Sequence, residues 1–229
     1  MPTRTLVLLP GMDGTGELFA PFVAELGTAF DVKVVRYPDD PAAGYPELEE
    51  VVRQALPLEG PVALLGESFS GPIAIRLASE LGERLEALIL CATFARDPLP
   101  IGTGLGALLA VLPPRLVPGR LLSWFLLGDR QTLALRSSLG QALAQLSLAT
   151  LRSWLRAVRR VDATAALATI RAPVLYLRAA QDRLVPAKAG ELVGSICPQA
   201  KLVTLDAPHL LLQTAPREAA WLVEECLRP

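Results

Sequence analysis

Histidine is almost missing from this chain of 229 residues: there is one, His209, and the three cysteines stand far apart at Cys91, Cys197 and Cys226. A transition-metal site gathers its His, Cys or carboxylate ligands at short spacing, and no C-x-x-C or H-x-x-x-H arrangement occurs, so zinc chemistry is not expected. An odd, scattered cysteine set offers no disulfide framework and predicts reduced thiols in a cytoplasmic-type compartment. Long hydrophobic runs are lacking as well. The longest apolar stretches, 105–112 and 121–127, fall well short of the roughly 20 residues of a membrane span, and the run 6–9 is too short for a signal-peptide core. There is no excess of charge of one sign, with a formal net charge of -1 and 20% charged residues, which argues against a polyanion binder and a disordered tail. The one basic concentration, Arg152, Arg156, Arg159 and Arg160, has helical spacing and no interleaved aromatics; it reads as a solvated helix face, and nucleic acid is not an expected partner.

What is present is 52% hydrophobic residues, enough for one full-sized domain with a sizeable core. Six short runs rich in Val, Leu, Ile and Ala have strand length and turn residues at their ends: 5–9, 32–37, 62–65, 87–91, 174–177 and 202–205. They are mostly apolar rather than alternating, the pattern of strands buried on both faces of a parallel sheet. Helical patterns at 17–26, 46–56, 72–81, 187–196 and 216–227 alternate with them. The class is therefore α/β, a doubly wound, mostly parallel sheet. The alternation breaks once, between about 97 and 169, where the chain turns Leu- and Ala-rich and is cut by Pro113, Pro114 and Pro118. That stretch is too long for a plain connection, so a helical cap at 97–169 inserted into a core of 1–96 and 170–229 is expected.

The run Gly66-Glu67-Ser68-Phe69-Ser70-Gly71 leads from the third apolar run into a helix. A serine at the apex of such a strand-turn-helix needs small residues two positions either side, and Gly66 and Ser70 meet that need, Ser70 standing where glycine is commoner. Serine is a poor nucleophile at neutral pH and requires a base that is itself oriented by a carboxylate. His209 alone can be that base, and it follows the last strand. Asp182 follows the strand before it, giving the chain order Ser, Asp, His. Asp206 is the rival acid but lies three residues from the histidine on the same strand end, and Asp182 is favoured.

An oxyanion formed at the substrate needs backbone donors. The amide of Phe69 at the start of the helix is one candidate and that of Met12, in the turn Pro10-Gly11-Met12-Asp13-Gly14-Thr15-Gly16, the other. No lysine follows these glycines, so a phosphate loop is not expected, and Gly102-x-Gly104-x-x-Ala107 follows prolines instead of a strand, unlike a dinucleotide site. No cofactor is called for.

Together the elbow, the Pro10-Gly11-Met12 loop, Asp182 with Val185-Pro186, and His209 resemble the α/β-hydrolase superfamily over essentially the whole chain. Pro10 and Pro208 stand where that family more often has His and Gly. The resemblance implies an α/β-hydrolase fold with a compact core and esterase-like acyl transfer by Ser68, Asp182 and His209 as a triad. The Leu9 to Gly16 stretch is also similar to one in plant plastid acyltransferases of the superfamily, which keeps acyl transfer to an alcohol as an alternative; thioester cleavage by the same triad is another, ahead of a non-catalytic binding protein. Haloalkane dehalogenase and epoxide hydrolase chemistry would need aspartate in the elbow. Between Leu99 and Leu127 only Arg115 and Arg120 are charged, so a small-molecule ester with an uncharged acyl group of short to medium length is the expected substrate, with Trp124 and Phe125 as pocket residues.

Overall fold

The computed structural model describes residues 4–28, 30–98 and 119–228. Strands β1 (Arg4–Leu9), β2 (Phe30–Val34), β3 (Val62–Glu67), β4 (Leu85–Cys91), β5 (Val174–Ala179) and β6 (Lys201–Leu205) form one 6-stranded sheet in the order β2-β1-β3-β4-β5-β6. Every neighbouring pair runs parallel. The described helices are α1 (Ala20–Glu25), α2 (Tyr45–Ala55), α3 (Gly71–Leu81), α4 (Gly119–Leu127), α5 (Leu133–Ala144), α6 (Leu148–Val158), α7 (Thr164–Leu167), α8 (Ala187–Ile196), α9 (Leu211–Thr214) and α10 (Pro216–Cys226).

Side chains alternate across a strand, so an all-apolar strand supplies two cores at once. Val7, Leu9, Leu64, Leu88, Leu90 and Tyr176 join α2, α3 and α8 on one face. Leu6, Leu8, Ala63, Leu65, Ile89 and Leu177 join α1 and α10 on the other. This two-sided burial holds for β1, β3, β4 and β5. It does not hold for β2 and β6, the sheet edges, where Val34 and Leu202 are exposed. The edges are also the more polar strands, with Asp31 and Lys33 in β2 and Lys201 and Thr204 in β6, so these two runs depart from the two-sided apolar pattern. Two boundaries also differ from the sequence pattern. The expected helix 17–26 is a single 3-10 turn, Glu17–Phe19, followed by α1, with Pro21 in the first helical turn, where its missing N–H costs nothing. Residues beyond Val34 leave the ladder, yet Val35 N still donates to Leu8 O of β1 at 2.9 Å and Tyr37 N to Gly14 O of the loop after it at 2.8 Å.

Strand order reverses between β1 and β3, because β1 connects outward to β2 on one side while β3 leads away on the other. Loops leaving two such strands diverge at their carboxyl ends and open a crevice there. The Pro10-to-Gly16 turn and Ser68 lie in those two loops.

Helices α4 to α7 fall between β4 and β5, within the stretch expected as a cap; its part 99–118, with Gly102, Gly104 and Arg115, lies outside the described residues. Thr132 and Ser147 start α5 and α6 by accepting the amides of Leu135 and Thr150, caps of the kind that stabilise a helix by about 1 kcal/mol. Leu151, Trp154 and Val158 form the buried stripe of α6, and Arg152, Arg156 and Arg160 are exposed, while Arg159 pairs with Asp97 at 2.8 Å. Among the described residues no helix is long and apolar enough to cross a membrane. The three cysteines carry free thiols.

Candidate active site

Strand β3 is buried from end to end and delivers Ser68 into a backbone conformation with φ of 50°, a left-handed value for a residue with a side chain. Such a conformation costs on the order of 1–3 kcal/mol and persists only where its surroundings hold it. Here the Ser68 carbonyl accepts from the Gly71 amide and the Thr93 hydroxyl. The close approach of α3 to β3 rests on Gly66: a Cβ there would lie 2.7 Å from the Ala74 Cβ and 2.9 Å from the Ser70 carbonyl oxygen. The sharp turn leaves Ser68 partly accessible while Phe69 and Ser70 are buried.

Beyond β6 the chain is pinned by Gln181 N to Ala207 O at 3.0 Å and by Leu210 N to Leu126 O at 3.0 Å, which fixes the loop on either side of Pro208 and His209. Pro208 is accommodated without a left-handed turn, and Gly128 of the α4 end approaches its ring closely. His209 Nε2 lies 2.8 Å from Ser68 Oγ. Its Nδ1 lies 2.8 Å from Asp182 Oδ2 and 3.0 Å from Oδ1. Asp182 is held in turn by the amides of Leu184 and Val185, which donate to Oδ1 at 2.8 and 2.9 Å. Both side chains of this ion-pair geometry are buried. Asp206, the other acid near the histidine in sequence, points to solvent: its side chain is 76% exposed and meets Arg130 and Gln181. Of the two carboxylates, the structure brings only Asp182 to His209.

Met12 and Phe69, the expected backbone donors, sit in the two divergent loops, and among the described residues neither amide is taken up by a protein acceptor. Trp124 and Phe125 are placed on α4. The Trp124 ring is covered by the Arg183 guanidinium at 3.9 Å and meets Phe125 edge-on, while Phe125 is itself buried. The aromatic wall against the elbow comes instead from residues the sequence did not single out. Phe69 stacks with Tyr45 at 4.9 Å and with Trp154 at 5.1 Å, and Tyr37 meets both Phe69 and Trp154 edge-on. A cleft of about 400 Å³ opens beside Tyr37, lined also by Thr15, Arg36, Asp39 and Gln145; its lining includes none of Ser68, Asp182 and His209.

Two further carboxyl groups were not foreseen. Glu67, 1% exposed, takes a hydrogen bond from Gln213 Nε2 at 3.1 Å. Burial, then the nearby charge of Asp13, push its carboxyl up to about 7, against the opposing pull of Gln213 and His209. Asp13 is also raised, by burial, although the Thr15 hydroxyl and amide donate to it. On His209, burial works to lower the imidazole, but the charge and hydrogen bond of Asp182, with the charge of Glu67, outweigh it and leave its pKa above the ordinary value. The site thus favours an imidazole more basic than a free one, next to an accessible serine hydroxyl. Among the described residues no group of three or more His, Cys, Asp or Glu is arranged to hold a metal.

The fold and this arrangement are those of an alpha/beta hydrolase, and residues 6–220 match that family's model; the chain belongs to the alpha/beta hydrolase family. Among characterised proteins, it is 27% identical to a pimeloyl-[acyl-carrier protein] methyl ester esterase of Aromatoleum aromaticum, covering 97% of this chain and 98% of that one. It is 36% identical over 104 residues to the chloroplastic phytyl ester synthase 1 of Arabidopsis thaliana, a match covering 42% of this chain and only 15% of that longer protein. Among solved structures, the enol-lactonase from Burkholderia xenovorans superposes with a TM-score of 0.83 at 19% identity, over 99% of this chain and 92% of that chain. The family and the esterase-type relatives mark the chain as of hydrolase type.

Proposed function

We propose that the protein is a serine carboxylic-ester hydrolase that acts on uncharged acyl esters of short to medium length. Ser68 is the nucleophile, His209 the general base and acid, and Asp182 the group that holds the imidazole with its proton on Nδ1. The amides of Met12 and Phe69 form the oxyanion hole. Ser68 Oγ adds to the ester carbonyl carbon as its proton passes to His209 Nε2, and the carbonyl oxygen becomes an oxyanion. Collapse of this intermediate expels the alcohol, which takes the proton from His209, and leaves the acyl group on Ser68. A water then gives its proton to His209 and adds to the acyl carbon; as the acid departs, the bond to Ser68 Oγ breaks and His209 returns its proton to that oxygen. The single observation that carries the reading is the unbroken run of contacts from Ser68 Oγ through both His209 nitrogens to Asp182, at 2.8 Å on each side of the ring.

The 97–169 insertion acts in this reading as a cap. Helix α4, with Trp124 and Phe125, borders the site on the His209 side through the Leu126 to Leu210 hydrogen bond. The free cysteines fit a reducing, cytoplasmic-type compartment. A second reading keeps the same three residues and replaces water by an alcohol acceptor; the similarity to a phytyl ester synthase favours it. Turnover of p-nitrophenyl esters of graded acyl length tests the substrate class, with added alcohol reporting on transfer. Uncharged acyl groups of up to medium length are expected to be turned over best; preference for a charged or bulky aromatic acyl group would refute the class.

A further inference from the structure

Ser70, the residue that departs from the glycine commoner in this kind of elbow, is fully buried and spends its hydroxyl on a specific task. It donates to the Pro10 carbonyl oxygen, 60 residues away in the chain. The Tyr37 hydroxyl lies 2.7 Å from the same Ser70 oxygen. A hydroxyl has one proton, and a carbonyl can only accept; with the Ser70 proton committed to Pro10, Tyr37 must be the donor to Ser70. The order of donation is therefore fixed: Tyr37 to Ser70 to Pro10. Burial keeps the Tyr37 phenol well above its ordinary range, so it remains protonated and able to donate.

The same tyrosine holds the far end of the loop, because its backbone N–H donates to Gly14 O at 2.8 Å, and the turn between is closed by Gly14 N to Gly11 O at 3.0 Å. The loop is thus tied at Pro10 by Ser70 and at Gly14 by Tyr37, and Met12 lies between the ties. Ser70 in its turn is the neighbour of Phe69. Tyr37 is itself wedged edge-on against Phe69 and Trp154, at centroid distances of 6.4 and 5.9 Å. The hydroxyl chain accordingly joins the two backbone segments whose amides, on the proposed mechanism, must converge on one oxygen.

We propose that Ser70 and Tyr37 are positioning residues that set the spacing of the oxyanion hole by latching the Met12 loop to the elbow. The inference rests on the serine-hydrolase reading above. With alanine at 70 the loop loses its tie and a buried tyrosine hydroxyl loses its acceptor, so the Met12 amide is free to drift from the place the oxyanion needs. Since donors act only when aimed at the developing charge, misplacing one costs rate more than binding.

The test compares an ester with its thionoester in wild type and Ser70→Ala. Sulfur is a poor hydrogen-bond acceptor, so a C=S substrate draws little from the oxyanion hole, and the ratio of the two rates is independent of how much of a variant is folded. Ser70→Ala is expected to lower kcat on the ester by about 10- to 100-fold with KM nearly unchanged, short of the roughly 10²–10³ of deleting a donor outright. Turnover of the thionoester should fall far less. Tyr37→Phe, which leaves the Ser70 to Pro10 bond in place, is expected to change the ratio in the same direction by a smaller amount, and it serves where Ser70→Ala does not fold. An unchanged ester-to-thionoester ratio in both variants, whether both rates fall together or neither does, overturns the latch. The two readings fail separately: an unchanged ratio with a Ser68-dependent wild type refutes only the latch, whereas turnover retained in Ser68→Ala refutes the serine mechanism on which it rests.

Discussion

Replacement of Asp182 by Asn asks whether this carboxylate sets the histidine tautomer. Oδ1 accepts the amides of Leu184 and Val185 at 2.8 and 2.9 Å, two donors that demand an oxygen at that site. The new side chain must therefore keep its carbonyl oxygen there and turn its NH2 to the Oδ2 position, 2.8 Å from His209 Nδ1. An NH2 at that distance donates to Nδ1, so the imidazole proton is driven to Nε2, where it faces Ser68 Oγ across 2.8 Å and blocks acceptance of the serine proton. A wrong tautomer of this kind costs about 10⁴ in kcat where it has been tested, or about 5 kcal/mol of transition-state stabilisation. Because both backbone hydrogen bonds survive, the thermal midpoint should stay close to wild type. The assay is kcat on p-nitrophenyl butyrate at neutral pH, with Asp206→Asn alongside as a solvent-exposed carboxylate of the same neighbourhood, expected to stay within a few-fold of wild type. A loss of less than about tenfold in Asp182→Asn, or a larger loss in Asp206→Asn, would refute the tautomer argument.

Glu67→Gln should move the acid limb of the kcat/KM profile to lower pH. On the proposed mechanism His209 must be neutral to act as base, and its pKa lies above the ordinary value of about 6.5; removing the Glu67 charge removes one of the influences that raise it, so neutral histidine persists to lower pH. Glu67, at about 7 in the wild type, titrates in the same range with Asp13 and Cys91 also facing it, so the wild-type limb belongs to a coupled set. A shift to higher pH, or none, would contradict this. Trp154→Ala removes a ring that is 0% exposed, its stack on Phe69 and its Nε1 hydrogen bond to Ala43 O at 2.9 Å. Urea unfolding should show a loss of about 3–5 kcal/mol, and a loss below about 1 kcal/mol would mean that helix α6 is not part of the core.

Much of the fold was legible because burial on two faces leaves a plain mark. Leu6 to Leu9, Val62 to Leu65 and Ala87 to Cys91 are apolar without a break, and they are the sheet centre. The edges carry a weaker mark: Asp31 and Lys33 interrupt the run around Val32, Lys201 and Thr204 flank the run at Leu202, and only Leu205 of these two strands is buried. Ser68, Asp182 and His209 each follow a strand, so parallel pairing carries all three to one end of the sheet, and the sequence order sufficed to single them out. Other residues around the site left no such mark. Trp154 has the spacing of any core helix residue with Leu151 and Val158, and only the tertiary fold sets it on Phe69. Glu67 reads as a polar strand end; its burial depends on Gln213 arriving from 146 residues away. Ser70 showed itself as a departure from glycine, but its partners Pro10 and Tyr37 are contributed by two other loops.

Reaction of the purified protein with a fluorophosphonate, followed by peptide mass spectrometry, tests the central claim most directly, because only a serine activated by a neighbouring base reacts readily. The expected result is one adduct, on Ser68, absent in Ser68→Ala and formed far more slowly in His209→Ala, since no second histidine exists to replace the base. An adduct that persists in Ser68→Ala, or a wild-type protein that takes up no label, would contradict it.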